Sequence, residues 1–286
     1  MGKTGGEFQT VGIVGLGLIG GSLAKAISQN TSCQVLGLDI DEETMEQALK
    51  EGAVSGKLTC PAQCNLLIVA LFPQAALDYI EAVAPKLTPG TVVMDICGVK
   101  EVLAQRAGEA CAKWGLHFVG CHPMAGKEKW GYANASSNLF ANASLILTPG
   151  PSSGEAVEQV RRFAMEIGFA STVVTTPQNH DRMISYTSQL AHVLSNAYIK
   201  NPLCLEFKGY TGGSFQDLTR VAKLNPVMWS ELFLFNRENL MADIDILIDH
   251  LSQYKKALAA GDREGLNALL AQGSRLKEQL LEEKGE

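Results

Sequence analysis

"VGIVGLGLIGGSLA", residues 11–24, is the stretch from which the rest of this chain is read. A β-branched run, 11–15, leads straight into G-x-G-x-x-G at 15–20, and the small apolar residues that follow open a helix. Strand, glycine turn and helix in that order form the context in which this motif binds a dinucleotide. Gly15 permits the tight turn, Gly17 lets the backbone approach a pyrophosphate, and Gly20 lets helix pack on strand. The phosphates then sit at the helix N-terminus, beside Leu18 and Ile19. Glycines also turn strands into helices without binding anything, so a second signal matters. It comes at Asp39, 19 residues after Gly20 at the end of "QVLGLD" (34–39), where a carboxylate can accept hydrogen bonds from ribose hydroxyls. Leu71, at the end of "NLLIVAL" (65–71), completes the expected cofactor set. Asp39 would repel a 2′-phosphate, and Ile40 and Asp41 bring no arginine. NAD is therefore favoured over NADP.

Outward from this unit, further apolar runs at 91–96, 117–121, 143–148 and 171–176 alternate with helix-like segments at 42–50, 75–87, 100–114 and 153–167. Strands that are continuously apolar, separated by helices, predict an α/β fold: a Rossmann-type, doubly wound, mostly parallel sheet covered on both faces. After Pro177 the strand signal ends and the chain reads as helix. The expected division is a loose tail at 1–9, a dinucleotide-binding domain at 10–176 and a helical domain at 177–286. In the helical part Ser214 is expected to cap "SFQD", and Asn225–Pro226 to start one long helix reaching Leu251.

Composition narrows the class. With 46% hydrophobic and 19% charged residues over 286 positions, the chain can bury a substantial core. No apolar run is long enough to suggest a membrane span, and the first ten residues lack the pattern of a signal peptide, so a cytoplasmic protein is expected. A net charge of −6 without a basic cluster argues against nucleic acid or an anionic membrane as partner. Seven scattered cysteines form no disulfide framework, and Cys60 and Cys64 lack the companions of a zinc site. No metal is expected.

The ligand of a doubly wound fold lies beyond the carboxyl ends of its strands. His122, in "GCHPMAGKEKWG" (120–131), follows such a strand and would stand near the nicotinamide; the ordinary alternative is a histidine packed at a strand end. On a helix from 182 to 200, Ser185, Gln189, His192 and Asn196 fall within about 60° of one another, with Ser188 and Ser195 alongside and Met183, Leu190, Leu194 and Ala197 opposite. A neutral polar stripe with a histidine suits a cavity lining, or else a polar seam between helices. Arg220 lies one turn after Asp217, and either pairs with it or offers a guanidinium fork to a substrate carboxylate.

Taken in order, "VGIVGLGLIGGSLA", "GCHPMAGKE", "NLF", "HDR", "LAH", "GGSFQDLTR", "NPVMW" and "NRENL" resemble the prephenate/arogenate dehydrogenase family of tyrosine biosynthesis over nearly the whole chain. The resemblance implies an NAD(P)-dependent oxidative decarboxylation and an all-helical dimerisation domain, hence a homodimer through the residues after about 177. It implies His122 as the base that takes the C4 hydroxyl proton and Arg220 as the carboxylate anchor. His192 and His180 match positions near the substrate, and Glu128 and Trp229 match positions that shape or gate the pocket. For an ammonium group no acidic residue stands out, and Glu128 and Asp217 are the candidate partners, so Asp217 joins the substrate set. Many relatives carry "GSVK" where this chain has "CGVK" at 97–100, so Gly98 stands in the place of a serine that supports the catalytic histidine. Cys97, water or cofactor hydroxyls are the candidate replacements. The chain ends soon after its last helix, which leaves feedback by tyrosine to act at the active site.

Prephenate is the expected substrate and arogenate the alternative. A non-catalytic sensor of NAD(H) is a third reading, one that needs the glycine loop but not His122, Arg220 or the polar stripe.

Overall fold

The computed structural model describes residues 7–206, 208–210 and 212–284, which fall into two compact units divided after Arg237. In the first unit an eight-stranded sheet holds β1 (Thr10–Val14), β2 (Gln34–Leu38), β3 (Gly56–Lys57), β4 (Leu66–Val69), β5 (Val92–Asp95), β6 (His117–Pro123), β7 (Ser144–Pro149) and β8 (Ser171–Val174). Their order is β3-β2-β1-β4-β5-β6-β7-β8, and all neighbours are parallel except β6 and β7. The order reverses direction between β1 and β4, which makes the crevice above β1 the place where a doubly wound sheet takes its ligand.

The strands are apolar throughout because both faces are covered. Ile13, Ile68 and Met94 point into one core with Leu23, Ile27 and Phe163. Val14, Val69 and Val93 point into the other with Leu77, Ile80 and Leu103. Each such fully buried side chain stabilises the sheet by about 1.5–3 kcal/mol. The covering helices are α1 (Leu18–Asn30), α2 (Glu42–Lys50), α3 (Pro73–Val83), α4 (Glu101–Ala112) and α5 (Ala156–Glu166).

The expected tail is corrected at its inner end. Residues 1–6 lie outside the described residues, but Phe8 is buried edge-on against Phe163, and Glu7 pairs with Arg162.

Beyond Pro177 come α6 (Pro177–Ile184), a π-helical turn (Ser185–Gln189), α7 (Leu190–Tyr198), α8 (Gly213–Thr219) and α9 (Pro226–Phe235). Gly212 rather than Ser214 precedes α8 as its cap. Asn225 caps α9 as expected, its side chain accepting the Val227 and Met228 N–H groups at 3.0 and 3.2 Å. The single long helix expected from Asn225–Pro226 is broken at Asn236, whose side-chain amide donates to Asp181 O and to Gln189 Oε1, both at 2.8 Å. α10 (Arg237–Ala260) begins directly afterwards. By packing, residues 177–237 belong with the sheet, although the change from mixed to helical structure falls at Pro177.

The second unit contains the remainder of α10 and α11 (Arg263–Lys284), joined through Gly261, whose φ of +63° reverses the chain. Met241, Leu251, Leu258, Leu270 and Leu276 are exposed along these helices.

Candidate active site

The glycine loop turns above β1 under steric constraints that leave little choice of residue. Gly15 has φ +85°, and a Cβ there would stand 2.4 Å from Ala70 O. A Cβ on Gly20 would lie 1.9 Å from Gly15 O, so helix and strand meet at a distance only glycine allows. At Gly17, by contrast, no heavy atom of the described residues beyond its chain neighbours comes within 4 Å of a Cβ position. The space in front of it is a cradle that a side chain would fill. Leu18 and Ile19 form the first turn of α1, whose leading N–H groups have no partner inside the helix and favour an anion. Asp39 is drawn to the same place: Oδ2 accepts the Leu16 N–H at 2.6 Å and Oδ1 the Asp41 N–H at 2.9 Å. Leu71 sits just past β4 beside the loop, its Cδ2 being 3.0 Å from the Gly15 Cβ position. These residues fit a nicotinamide dinucleotide.

His122 ends β6 at the same edge of the sheet, half-buried. Its Nδ1 lies 2.9 Å from His180 Nε2, and His180 Nδ1 lies 2.7 Å from Asp181 Oδ1. Asp181 accepts the Lys100 N–H at Oδ1 (2.7 Å) and the Glu101 N–H at Oδ2 (2.9 Å), where α4 begins. Burial, the neighbouring His180 and the Lys100 ammonium hold His122 well below the usual imidazole range. Burial also lowers His180, against the opposing pull of Asp181. Both rings are thereby kept neutral near pH 7. The placement of His180 differs from the expected substrate contact, since both its nitrogens are engaged by protein groups.

A Cβ on Gly98 would stand 3.8 Å from His122 Nε2 and 3.4 Å from Leu232 Cδ2, so this position faces the Nε2 edge of the ring. Cys97 does not replace the serine: it is buried, with its thiol donating to Leu71 O at 3.4 Å and its N–H to Asp95 Oδ2 at 2.9 Å. Beneath the site, Lys100 pairs with Asp95, both fully buried.

Ser185, Gln189 and Ser195 of the polar stripe are buried and Met183 and Ala197 opposite are exposed, but Leu190, expected on the side of Met183, is buried as well. Part of it is a seam between helices: Gln189 Nε2 donates to Leu232 O at 3.3 Å and Asn196 Nδ2 to Ala222 O at 3.0 Å. His192 Nδ1 lies 2.9 Å from Ser188 O, and its ring stacks on Trp229 with centroids 4.0 Å apart. Arg220, just past α8, does not take Asp217 as its partner. Nη1 instead donates to Glu128 Oε1 at 2.8 Å, while Asp217 is exposed. Glu231 on α9 accepts the Gln74 N–H at the start of α3, which ties the helix carrying Trp229 to the sheet.

A family model described as "Prephenate dehydrogenase, nucleotide-binding domain" matches residues 23–173, and one described as "Prephenate dehydrogenase, dimerization domain" matches residues 176–272. The chain belongs to the prephenate/arogenate dehydrogenase family. Prephenate dehydrogenase of Bacillus subtilis is 30% identical over 269 residues, covering 90% of this chain and 72% of its own. A prephenate dehydrogenase from A. aeolicus, solved in complex with hydroxyphenyl propionate and NAD+, superposes with a TM-score of 0.84 at 28% identity, covering 96% of this chain and 98% of that one. Synechocystis arogenate dehydrogenase superposes with a TM-score of 0.81 at 25% identity, covering 95% and 100%. The protein is thus an oxidoreductase of this family that takes a nicotinamide dinucleotide. Among the described residues no helix is long and apolar enough to cross a membrane.

Asp181, Asn236 and Lys100 were not identified as site residues by sequence alone. Each lies inside a quoted stretch, Asp181 in "HDR", Asn236 in "NRENL" and Lys100 in "CGVK", but no spacing in the sequence singles it out.

Proposed function

We propose that the protein catalyses the NAD-dependent oxidative decarboxylation of prephenate to 4-hydroxyphenylpyruvate. The observation that carries this reading is His122, neutral and half-buried, with Nε2 directed to the space beside Gly98 at the carboxyl edge of the sheet. A bound oxidised nicotinamide would supply the acceptor for the hydride leaving C4 of the substrate ring. His122 takes the C4 hydroxyl proton as that hydride leaves, a task that needs a neutral imidazole. The ring carboxylate departs as CO2, its bonding electrons complete the aromatic ring, and the proton returns to the phenolic oxygen. Arg220 binds a substrate carboxylate in place of Glu128. His192 and Trp229, stacked on each other, line the substrate side, and Asp217 is a candidate partner for an ammonium group.

Asp39, held at the glycine loop by Leu16, favours the ribose diol of NAD over a 2′-phosphate. Residues 10–176 serve as the dinucleotide-binding domain and 177–286 as the substrate and dimerisation domain. The exposed leucines of α10 and α11 support a homodimer. Cytoplasmic localisation follows from the same biosynthetic reading.

Arogenate is the second reading, favoured by the resemblance to the Synechocystis enzyme. Following nicotinamide reduction with prephenate and arogenate in parallel, each with NAD and NADP, tests the whole assignment. The expected result is fastest turnover with prephenate and NAD. A preference for arogenate reverses the substrate reading, and no reduction in any combination defeats the enzyme reading in favour of an NAD(H) sensor.

A further inference from the structure

We infer that Asp181 and His180 are positioning residues that fix His122 in the one tautomer able to take a proton through Nε2. The inference rests on the reading of His122 as the base, and adds which ring atom accepts the proton and what holds it ready.

The assignment follows from counting donors. A carboxylate can only accept, so the proton in the 2.7 Å contact lies on His180 Nδ1. A neutral His180 then has a lone pair on Nε2, which must be the acceptor in the 2.9 Å contact, so the proton there lies on His122 Nδ1. A neutral His122 is left with its lone pair on Nε2. That is the atom 3.8 Å from where a Gly98 Cβ would stand, on the edge of the ring that does not meet His180.

The far end of the chain is anchored well enough to impose this order. The Asp181 carboxylate is gripped by two backbone N–H groups at the start of α4, and its carbonyl by Asn236 Nδ2. Asp181 is 1% exposed and His180 2%, so water competes little for these contacts. When His122 takes the hydroxyl proton, Nδ1–H continues to donate to His180. The imidazolium is stabilised along the chain, no proton moves through it, and the proton held on Nε2 returns to the phenolic oxygen. This arrangement also accounts for a glycine at position 98: orientation of the imidazole comes from behind the ring rather than from a hydroxyl in front of it.

The test combines nitrogen-15 NMR of the intact protein with two variants at position 180. In the unmodified protein near neutral pH, His122 is expected to show a protonated Nδ1 and an unprotonated Nε2. His180→Phe removes the acceptor and is expected to lower kcat at least about tenfold, with substrate KM and NAD affinity changed less than about twofold. His180→Gln keeps an oxygen able to accept from Nδ1 and should recover part of the loss. An Nε2-protonated His122 in the unmodified protein, or unchanged kcat in His180→Phe, overturns the inference. Should His180→Phe fail to fold, the NMR assignment decides alone. His122→Asn, measured alongside, is expected to lose about a hundredfold in turnover while retaining NAD affinity. If His122→Asn loses turnover and His180→Phe does not, the positioning role fails and the base stands. If His122→Asn turns over normally, the base itself is wrong.

Discussion

Arg220 Nη1 and Glu128 Oε1 meet at 2.8 Å, joining the end of α8 to the loop after β6 across 92 residues. Both side chains are more than half exposed, so the pair contributes at most about 1 kcal/mol to stability. With Arg220 as the proposed carboxylate anchor, its consequence lies in binding, because Glu128 then competes with a substrate carboxylate for the guanidinium. Arg220→Ala should leave Tm nearly unchanged and raise substrate KM by about 10- to 100-fold, the scale of a lost charge-assisted hydrogen bond. Glu128→Gln should lower KM by removing the competitor. Steady-state kinetics on both variants checks this, and a KM raised tenfold in Glu128→Gln would show that Glu128 binds substrate directly.

The two coupled histidines set a pH dependence whose sign is fixed by burial. Both are held below 6.5 in the folded protein, His122 the more strongly. Between the folded and unfolded values the unfolded chain binds more protons, so stability rises with pH there. The contribution is complete above about pH 6.5 and is lost as pH falls through the folded values. Tm should therefore decline below about pH 6.5, and more shallowly in His122→Asn. With His122 as the proposed base, the acid limb of kcat/KM should also fall below 6.5. An acid limb above 6.5 would contradict a desolvated His122.

What the sequence disclosed and what it concealed follow from distance along the chain. The glycine loop, Asp39 and the parallel strands were legible because each rests on a contiguous pattern or a short spacing. His122 and Arg220 were reached through motifs, but their partners were not: His122 meets His180 over 58 residues, and Arg220 prefers Glu128 to its near neighbour Asp217. The helix wheel over 182–200 placed the polar stripe on one face but could not include the π-helical turn at 185–189, which alters the phase partway along. Likewise, a periodic pattern running through Asn236 gave no hint that its amide is drawn aside to Asp181 and Gln189. Local propensity was overruled there by tertiary hydrogen bonds.

The glycine loop offers a contrast between two substitutions of one type. Gly20→Ala drives a methyl to 1.9 Å from the Gly15 carbonyl, where backbone must move, and should destabilise the fold by about 1–3 kcal/mol. Gly17→Ala adds a methyl where nothing lies within 4 Å, at an ordinary φ of −67°, so the fold should tolerate it. That methyl does occupy the approach to the helix N-terminus. Calorimetry with NAD should show weakened binding in Gly17→Ala at unchanged Tm; normal NAD affinity would move the pyrophosphate away from this loop.

Lys100 and Asp95 form an ion pair with no exposed surface, directly beneath the strand ends that carry the site. Asp95 Oδ2 also accepts the Cys97 N–H, while Oδ1 is buried without a hydrogen bond among the described residues. Removing one member leaves the other as an uncompensated buried charge, so Lys100→Met should cost about 3–5 kcal/mol. Adding Asp95→Asn removes that charge while keeping an oxygen for Cys97, so the double variant should be more stable than Lys100→Met alone. Urea unfolding of Lys100→Met, Asp95→Asn and the double variant measures the coupling directly. Additive losses would mean that the two groups do not act as a pair, and would leave the buried Lys100 side chain without its physical explanation.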